Sequence, residues 1–302
     1  MTVPDFQSLM LPIMRIAADG QEHNNGELWE ALAIEFKLTD EDLKERLSSG
    51  QSTFRNRVAW ARTHLKSGGL MENTGRGTFC ITERGLSVLK SKPQRIDMLF
   101  LKQFPDYYLN QRETRRESSD ETNNESETET KTPEEKLESI YQSMRHKLAD
   151  ELLDQIKGSS PEFFEELVVS LLVAMGYGGS LHDAGKAIGR SGDGGIDGII
   201  KEDKLGLDAI YIQAKRWEGT VGRPVVQGFV GSLEGVRARK GVLISTSQFS
   251  PDAQEYVNRI GMKIVLIDGH ELADLMIDHG VGVSPHATYV VKKIDLDYFG
   301  GE

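Results

Sequence analysis

Two short runs in this chain bring together residue types that do chemistry. The first reads Gly192-Asp193-Gly194-Gly195-Ile196-Asp197-Gly198-Ile199-Ile200, and the second reads Tyr211-Ile212-Gln213-Ala214-Lys215-Arg216. Both are rich in strand formers, and the polar interval at 201–206 suits a turn, so they read as paired strands. Side chains at i and i+2 of a strand share a face. Gln213 and Lys215 therefore project together, while Ile212 and Ala214 project to the other side. A cation, an amide and a neighbouring carboxylate on one side of an apolar sheet are costly to keep dry. That argues for a cleft or a metal site.

Several chemistries fail on spacing. The glycines at 189–198 contain no Gly-x-x-x-x-Gly-Lys-Ser/Thr, and strand formers rather than a helix follow them, so a nucleotide cradle does not fit. No Gly-x-Ser-x-Gly is present. The seven histidines show no metal-ligand spacing. A metal-dependent phosphodiesterase fits best. Mg²⁺ takes oxygen ligands and keeps waters. Asp197 would supply a direct carboxylate, Gln213 its amide oxygen and Ala214 its backbone carbonyl. Lys215 would orient the attacking water and steady charge on the phosphorane. Asp193 is a second candidate acid, ranked below Asp197 because it lies further from the strand.

A fourth group comes from a helix. Ser160-Pro161-Glu162 opens it, and Phe163, Phe164, Leu167, Val168, Leu171, Leu172 and Met175 make a broad apolar face. Glu165 has Val168, Val169 and Leu172 as helical neighbours, so it is better placed than Glu166 to turn inward and hold a water of the ion's shell. A solvated position at the edge of the stripe suits this helix equally well. Beyond the two runs, a helix is expected over 224–239, a buried strand over 241–246, a helix over 250–260, a buried strand over 263–268 and a helix over 271–278. Strands alternating with helices imply a central mixed sheet covered on both faces, an α/β arrangement. The tail at 289–299 is expected to add an edge strand.

The N-terminal part differs. Leu9, Ile13, Met14 and Ile16 mark an opening helix, 27–36 a second and 40–47 a short third. In the clearest helix, 52–67, Phe54, Val58, Ala61 and Leu65 form one stripe. Strands at 70–72 and 78–82 follow, joined through Gly75-Arg76-Gly77, and a short helix closes at 83–89. This order is that of an α+β winged helix. From Arg46 to Arg76 there are six Lys or Arg and one acid, Glu72. Arg55, Arg57, Arg62, Lys66 and Arg76 are the candidate phosphate contacts. The same arginines would also serve as a solvated helix face, and winged domains also mediate dimerisation. Trp29 and Trp60 sit at packing positions, and Cys80 reads as a small core residue of its strand.

Between these parts no Val, Ile, Leu, Met or aromatic residue occurs from 110 to 136. Such a segment buries too little to order itself. The expected organisation is a DNA-binding domain at 1–108, a flexible acidic linker at 109–132 and a second domain at 133–302. Thr132 and Glu135 form a capping box for a helix whose stripe is Leu137, Ile140, Tyr141, Met144, Leu148, Leu152 and Ile156. A formal net charge of −11 argues against a protein that coats nucleic acid. No apolar run is long enough for a membrane span, and no signal peptide is visible. The single cysteine fits a reducing cytoplasm.

At these residues the chain resembles a family. Asp-Gly-Gly-Ile-Asp-Gly at 193–198, Gln-Ala-Lys-Arg-Trp at 213–217, Gly-Val-Leu-Ile-Ser-Thr-Ser-Gln-Phe-Ser at 241–250 and Ile-Asp-Gly-x-x-Leu at 267–272 are similar to the Mrr restriction endonucleases. These belong to the PD-(D/E)xK nuclease superfamily. The likeness extends to Phe164-Glu165 and to Met175-Gly176-Tyr177, and the first domain resembles the Mrr winged helix. The resemblance implies a restriction-endonuclease-like fold, with Asp197, Gln213 and Lys215 as the catalytic set and Glu165 as the helix acid. It also implies cleavage of double-stranded DNA carrying methylated bases. The superfamily more often has Glu where Gln213 stands, so weaker metal affinity is expected. That departure keeps open a DNA-binding or sensing protein with a degenerate nuclease fold. A repair or junction nuclease would share the fold. Cutting both strands at once needs two active sites, so a homo-oligomer, dimer or higher, is expected.

Overall fold

The structure, a computed structural model, describes residues 3–107, 130–178, 195–202 and 208–294. Asp193, the segment 179–194 and most of the expected linker lie outside the described residues. Two compact units divide the chain, Met1–Ser143 and Met144–Glu302. Among the described residues no helix is long and apolar enough to cross a membrane.

The first unit runs α1 (Phe6–Ile16), β1 (His23–Asn24), α2 (Asn25–Glu35), α3 (Asp40–Lys44), α4 (Thr53–Ser67), β2 (Met71–Gly75), β3 (Thr78–Ile81), α5 (Glu83–Lys90) and α6 (Met98–Leu101). Its helices start where side chains can satisfy free N–H groups: Asp5, Asn24, Thr39, Ser52, Thr82 and Asp97 each cap one. Phe54, Val58, Ala61 and Leu65 of α4 are buried against α1, and the sheet order is β1-β3-β2, all antiparallel. This is a winged helix, with the β2–β3 turn as the wing.

The position of Cys80 corrects the sequence expectation. On β3 the side chains alternate, so Phe79 and Ile81 enter the core while Cys80 takes the opposite face. Its thiol lies 3.5 Å from Glu72 Oε1 across the ribbon.

The next helix, α7 (Pro133–Gly158), contributes to both units, and residues 133–143 belong to the first rather than the second. Side-chain bonding accounts for the shift. Thr132 N–H donates to Glu135 Oε2 at 2.7 Å and Glu135 N–H to Thr132 Oγ1 at 3.3 Å, completing the capping box. The Thr132 hydroxyl, fully buried, donates to Asn56 Oδ1 at 2.7 Å, and Trp60 Nε1 donates to Glu134 at 2.6 Å. The apolar stripe divides likewise. Ala149, Leu152, Leu153 and Ile156 enter the second core, whereas Leu137, Ile140, Tyr141 and Met144 stand exposed.

The second unit continues with α8 (Pro161–Ala174), β4 (Gly198–Lys201), β5 (Ala209–Lys215), α9 (Arg223–Gly235), β6 (Lys240–Ser245), α10 (Pro251–Arg259), β7 (Lys263–Ile267) and α11 (Gly269–Asp278). The strands form one mixed sheet in the order β4-β5-β6-β7. The first pair is antiparallel and the other two are parallel. One face buries Ile200, Ile212, Val242, Ile244 and Ile267 with the end of α7, α8 and α11. The other buries Leu243 and Ile264 with α9 and α10. Gly241 permits the close approach of α9, since a Cβ there would lie 2.7 Å from Leu233 and 2.8 Å from Phe229. The expected edge strand is not present over 289–294, which carry no secondary structure and are exposed.

Thr132→Ala removes a helix cap and leaves Asn56 Oδ1 buried without its donor. The expected loss is about 1–2 kcal/mol, read as a lower urea midpoint of the first unit's transition. An unchanged midpoint would show that this buried network carries no stability.

Candidate active site

The pairing of β4 with β5 sets the geometry. Gly198 lies opposite Ile212, and just before it Asp197 N–H donates to the Ile212 carbonyl at 2.9 Å. That bond turns the Asp197 side chain onto β5, where Oδ2 accepts the Ala214 N–H at 2.8 Å. Ala214 thus meets Asp197 through its N–H. Ile212 and Ala214 face the core under α8, as period-two alternation requires.

Gln213 is 5% exposed. Its Nε2 makes a short hydrogen bond to the Gly195 carbonyl. A carbonyl only accepts, so that bond fixes the amide's orientation and leaves Oε1 as the free atom. Oε1 is buried and has no hydrogen-bond partner among the described residues. Gly195 has φ +99°, and a Cβ there would stand 2.7 Å from Gln213 Nε2, so the position requires glycine.

Glu165 sits on α8, which packs on β4 and β5 and is capped by Ser160 Oγ accepting from Phe163 N–H at 3.2 Å. Glu165 is half-buried and Glu166 exposed. Burial raises the Glu165 carboxyl above its ordinary value, and the nearby charges of Asp197 and then Glu162 add to the rise. Burial also raises Asp197, against partial opposition from the Ala214 N–H and the Lys215 ammonium. Glu165, Asp197 and Lys215 are therefore within electrostatic reach at the edge of the core, with Gln213 beside them.

Three elements of the site had no separate signal in the sequence. Gly195 was visible only as one glycine of a pair. Thr246 is buried, and its hydroxyl accepts from Trp217 N–H at 2.9 Å, holding the chain that leaves β5. Arg216 donates to the carbonyls of Lys157 and Ser159.

In the first unit the five candidate phosphate contacts separate. Arg55, Lys66 and Arg76 are exposed, Arg55 with its guanidinium 4.2 Å over Trp29. Lys66 lines a groove of about 470 Å³ with Ala59, Arg62, Thr63, Ser67 and Asn73. Arg62 is partly withdrawn: it bonds Asn25 and Asn73, lies 4.1 Å over Phe79, and burial lowers its pKa. Arg57 turns to the other flank, where it bonds the Val3 and Pro4 carbonyls and pairs with Glu135 at 2.6 Å. Its charge is answered inside the protein, which removes it from the exposed basic face.

The raised carboxyls have a consequence for stability. With a folded pKa above the unfolded one, the carboxyl's favourable contribution is complete below the usual carboxylate range. It is lost as pH rises through the folded value. Asp197→Asn should therefore raise the melting temperature in metal-free buffer at about pH 7, with the gain vanishing near pH 3. Thermal melts in which the variant shows no gain at neutral pH would contradict a destabilising buried charge.

Comparisons with known proteins bear on the family. Residues 156–276 match the family described as "Restriction endonuclease", and residues 6–91 match the "Mrr N-terminal domain". The "Type IV methyl-directed restriction enzyme EcoKMrr" of Escherichia coli (strain K12) is 36% identical over 307 residues, covering 99% of this chain and 100% of that protein. Two solved structures are more distant. The "MspJI Restriction Endonuclease in Complex with 27-mer Oligonucleotide" has 18% identity and a TM-score of 0.31, covering 68% of this chain and 51% of that one. The "DNA modification-dependent restriction endonuclease AspBHI" has 16% identity and a TM-score of 0.37, with 68% and 52% covered. The chain thus spans about half the length of each of these two. With both domain families matched in order and a relative aligned end to end, the chain belongs to the Mrr family of restriction endonucleases.

Proposed function

We propose that this chain is a Mg²⁺-dependent endonuclease of the cytoplasm that cleaves methylated double-stranded DNA, working as a dimer or higher homo-oligomer. The observation that carries the metal dependence is Gln213 Oε1. A buried amide oxygen with no partner among the described residues costs about 1–3 kcal/mol, and Gln213 adjoins Ala214, whose N–H binds Asp197, a carboxylate whose burial is also unfavourable. A hard cation held by Asp197, Gln213 Oε1 and the Ala214 carbonyl would relieve both. The donor set therefore fits Mg²⁺, and fits it weakly, because one ligand is neutral.

When bound, the ion supplies Lewis-acid polarisation of the scissile phosphate. The protein's own groups supply the rest. Lys215 orients the attacking water and neutralises charge gathering on the phosphorane oxygens. Glu165 accepts a hydrogen bond from a water on the α8 side. The water oxygen bonds to phosphorus and gives up a proton to solvent, the bond from phosphorus to the leaving sugar oxygen breaks, and the leaving oxygen takes a proton from solvent. The exposed Arg55, Lys66 and Arg76, with the partly withdrawn Arg62, hold duplex phosphates. The methyl dependence draws on the Escherichia coli relative, a methyl-directed restriction enzyme.

The test is nicking and cutting of methylated and unmethylated plasmid in MgCl₂. Asp197→Ala and Lys215→Ala should each lower cleavage by a factor of about 100 or more and leave duplex binding intact. Cleavage surviving in both variants would sink the site assignment. Binding without cleavage of any plasmid by the unaltered chain would favour a sensor. Equal cutting of both plasmids would remove the methyl requirement, and a monomer on DNA by sedimentation would remove the oligomer.

A further inference from the structure

We propose that Arg216 is a positioning residue for the active site: by holding the α7–α8 turn against the end of β5, it sets the gap between Glu165 and Asp197. The inference rests on the nuclease reading above and adds a residue to it.

Arg216 directly follows Lys215 where β5 ends. Its Nη1 donates to Lys157 O at 3.2 Å and makes a short bond to Ser159 O. These carbonyls lie at the C-terminal end of α7 and in the turn after it, where helical acceptors lack helical donors and the helix dipole favours a cation. The turn is tightened from within by Ser159 Oγ donating to Ile156 O at 2.7 Å. Ser160, the cap of α8, comes next, and Glu165 follows after about 7.5 Å of helix rise. That distance is too short to absorb a displacement of the turn. Arg216 also lowers the Glu162 carboxyl, though less than that residue's own backbone N–H and Ser160 do.

Asp197 is fixed to β5 by the Ala214 N–H, and Lys215 and Gln213 are on β5 itself. Glu165 alone arrives on a different layer, so its distance from the others depends on how α8 is held to the strand. Packing under α8 sets the separation of the layers, while apolar contacts leave sliding along the strand less constrained. A charge-assisted bond from the residue beside Lys215 to the turn before Ser160 opposes that sliding.

The test compares Arg216→Gln, Arg216→Lys, Glu165→Gln and the Arg216→Gln/Glu165→Gln double variant in the full chain. Misplacing a catalytic group by about 1 Å costs up to 100-fold. Arg216→Gln should therefore lower kcat about 10- to 100-fold with KM for duplex little changed, and Arg216→Lys should recover part of the loss. The rise in melting temperature on adding MgCl₂ should shrink in Arg216→Gln as it does in Glu165→Gln, and the double variant should be no worse than Glu165→Gln in either readout. Fully additive losses would overturn the inference, as would a raised KM with unchanged kcat, the mark of a phosphate contact. If Glu165→Gln keeps full activity and the full Mg²⁺ shift, the role assigned to Glu165 fails, and the positioning role with it. If Glu165→Gln is impaired but the losses add, only the role of Arg216 fails.

Discussion

The hydrogen bond from Ala214 N–H to the Asp197 carboxylate fixes the arrangement of the nuclease unit. A carboxylate at the margin of an apolar sheet loses hydration, and the N–H is what makes that position tolerable. The bond exists only in the observed register of β4 on β5. A one-residue slip would send Ile200 from the core to solvent and carry Asp197 away from Ala214. The hydrophobic requirement of Ile200 and the chemical requirement of Asp197 therefore select the same pairing.

The rest of the sheet confines where chemistry can occur. β6 is buried from Gly241 to Ser245, with helices on both faces of the sheet. Polar side chains are excluded from its middle and collect at its end, where Ser245 and Thr246 are buried but bonded. Parallel pairing aligns Lys215 with Ser245, so the end of β5 that carries the proposed site and the polar end of β6 coincide. Thr246 then holds Trp217 by both its N–H and its carbonyl, and the chain leaves β5 on a fixed path. Ligand chemistry outside the carboxyl ends of parallel strands follows from this layering.

Much of this was legible in the sequence because it follows from periodicity. Period two separated Gln213 and Lys215 from Ile212 and Ala214, and helical spacing distinguished Glu165 from Glu166. The winged helix was legible from the order of its elements and the buried stripe of α4. What periodicity does not carry was missed. Cys80 has strand formers around it, but only the pairing of β3 with β2 and β1 decides which face is core. Helical spacing sets Arg57 on the flank opposite Arg55, but it does not reveal the contact 78 residues away, with Glu135, that turns Arg57 inward. The apolar stripe of α7 runs the length of the helix, although only its second half has a core beneath it.

Gln213 shows the same limit in sharper form. By composition it is a neutral residue where the superfamily more often has glutamate, which suggests a weakened site. The structure gives it a task that glutamate cannot perform, since its Nε2 donates to the Gly195 carbonyl and a carboxylate has no proton to give. A glutamate would leave that carbonyl without its donor and place a third negative charge beside Asp197 and Glu165, both already raised by burial. The amide instead ties Gly195 to β5 and leaves Oε1 without a partner among the described residues. The contact at Gly195 is made by hydrogen bonding alone, and a cation proposed for this site would meet two carboxylates instead of three. Gln213 is thus the partner of Gly195 as much as a proposed ligand, and its neutral amide would trade strength of hold on a cation for a bond that forms without one.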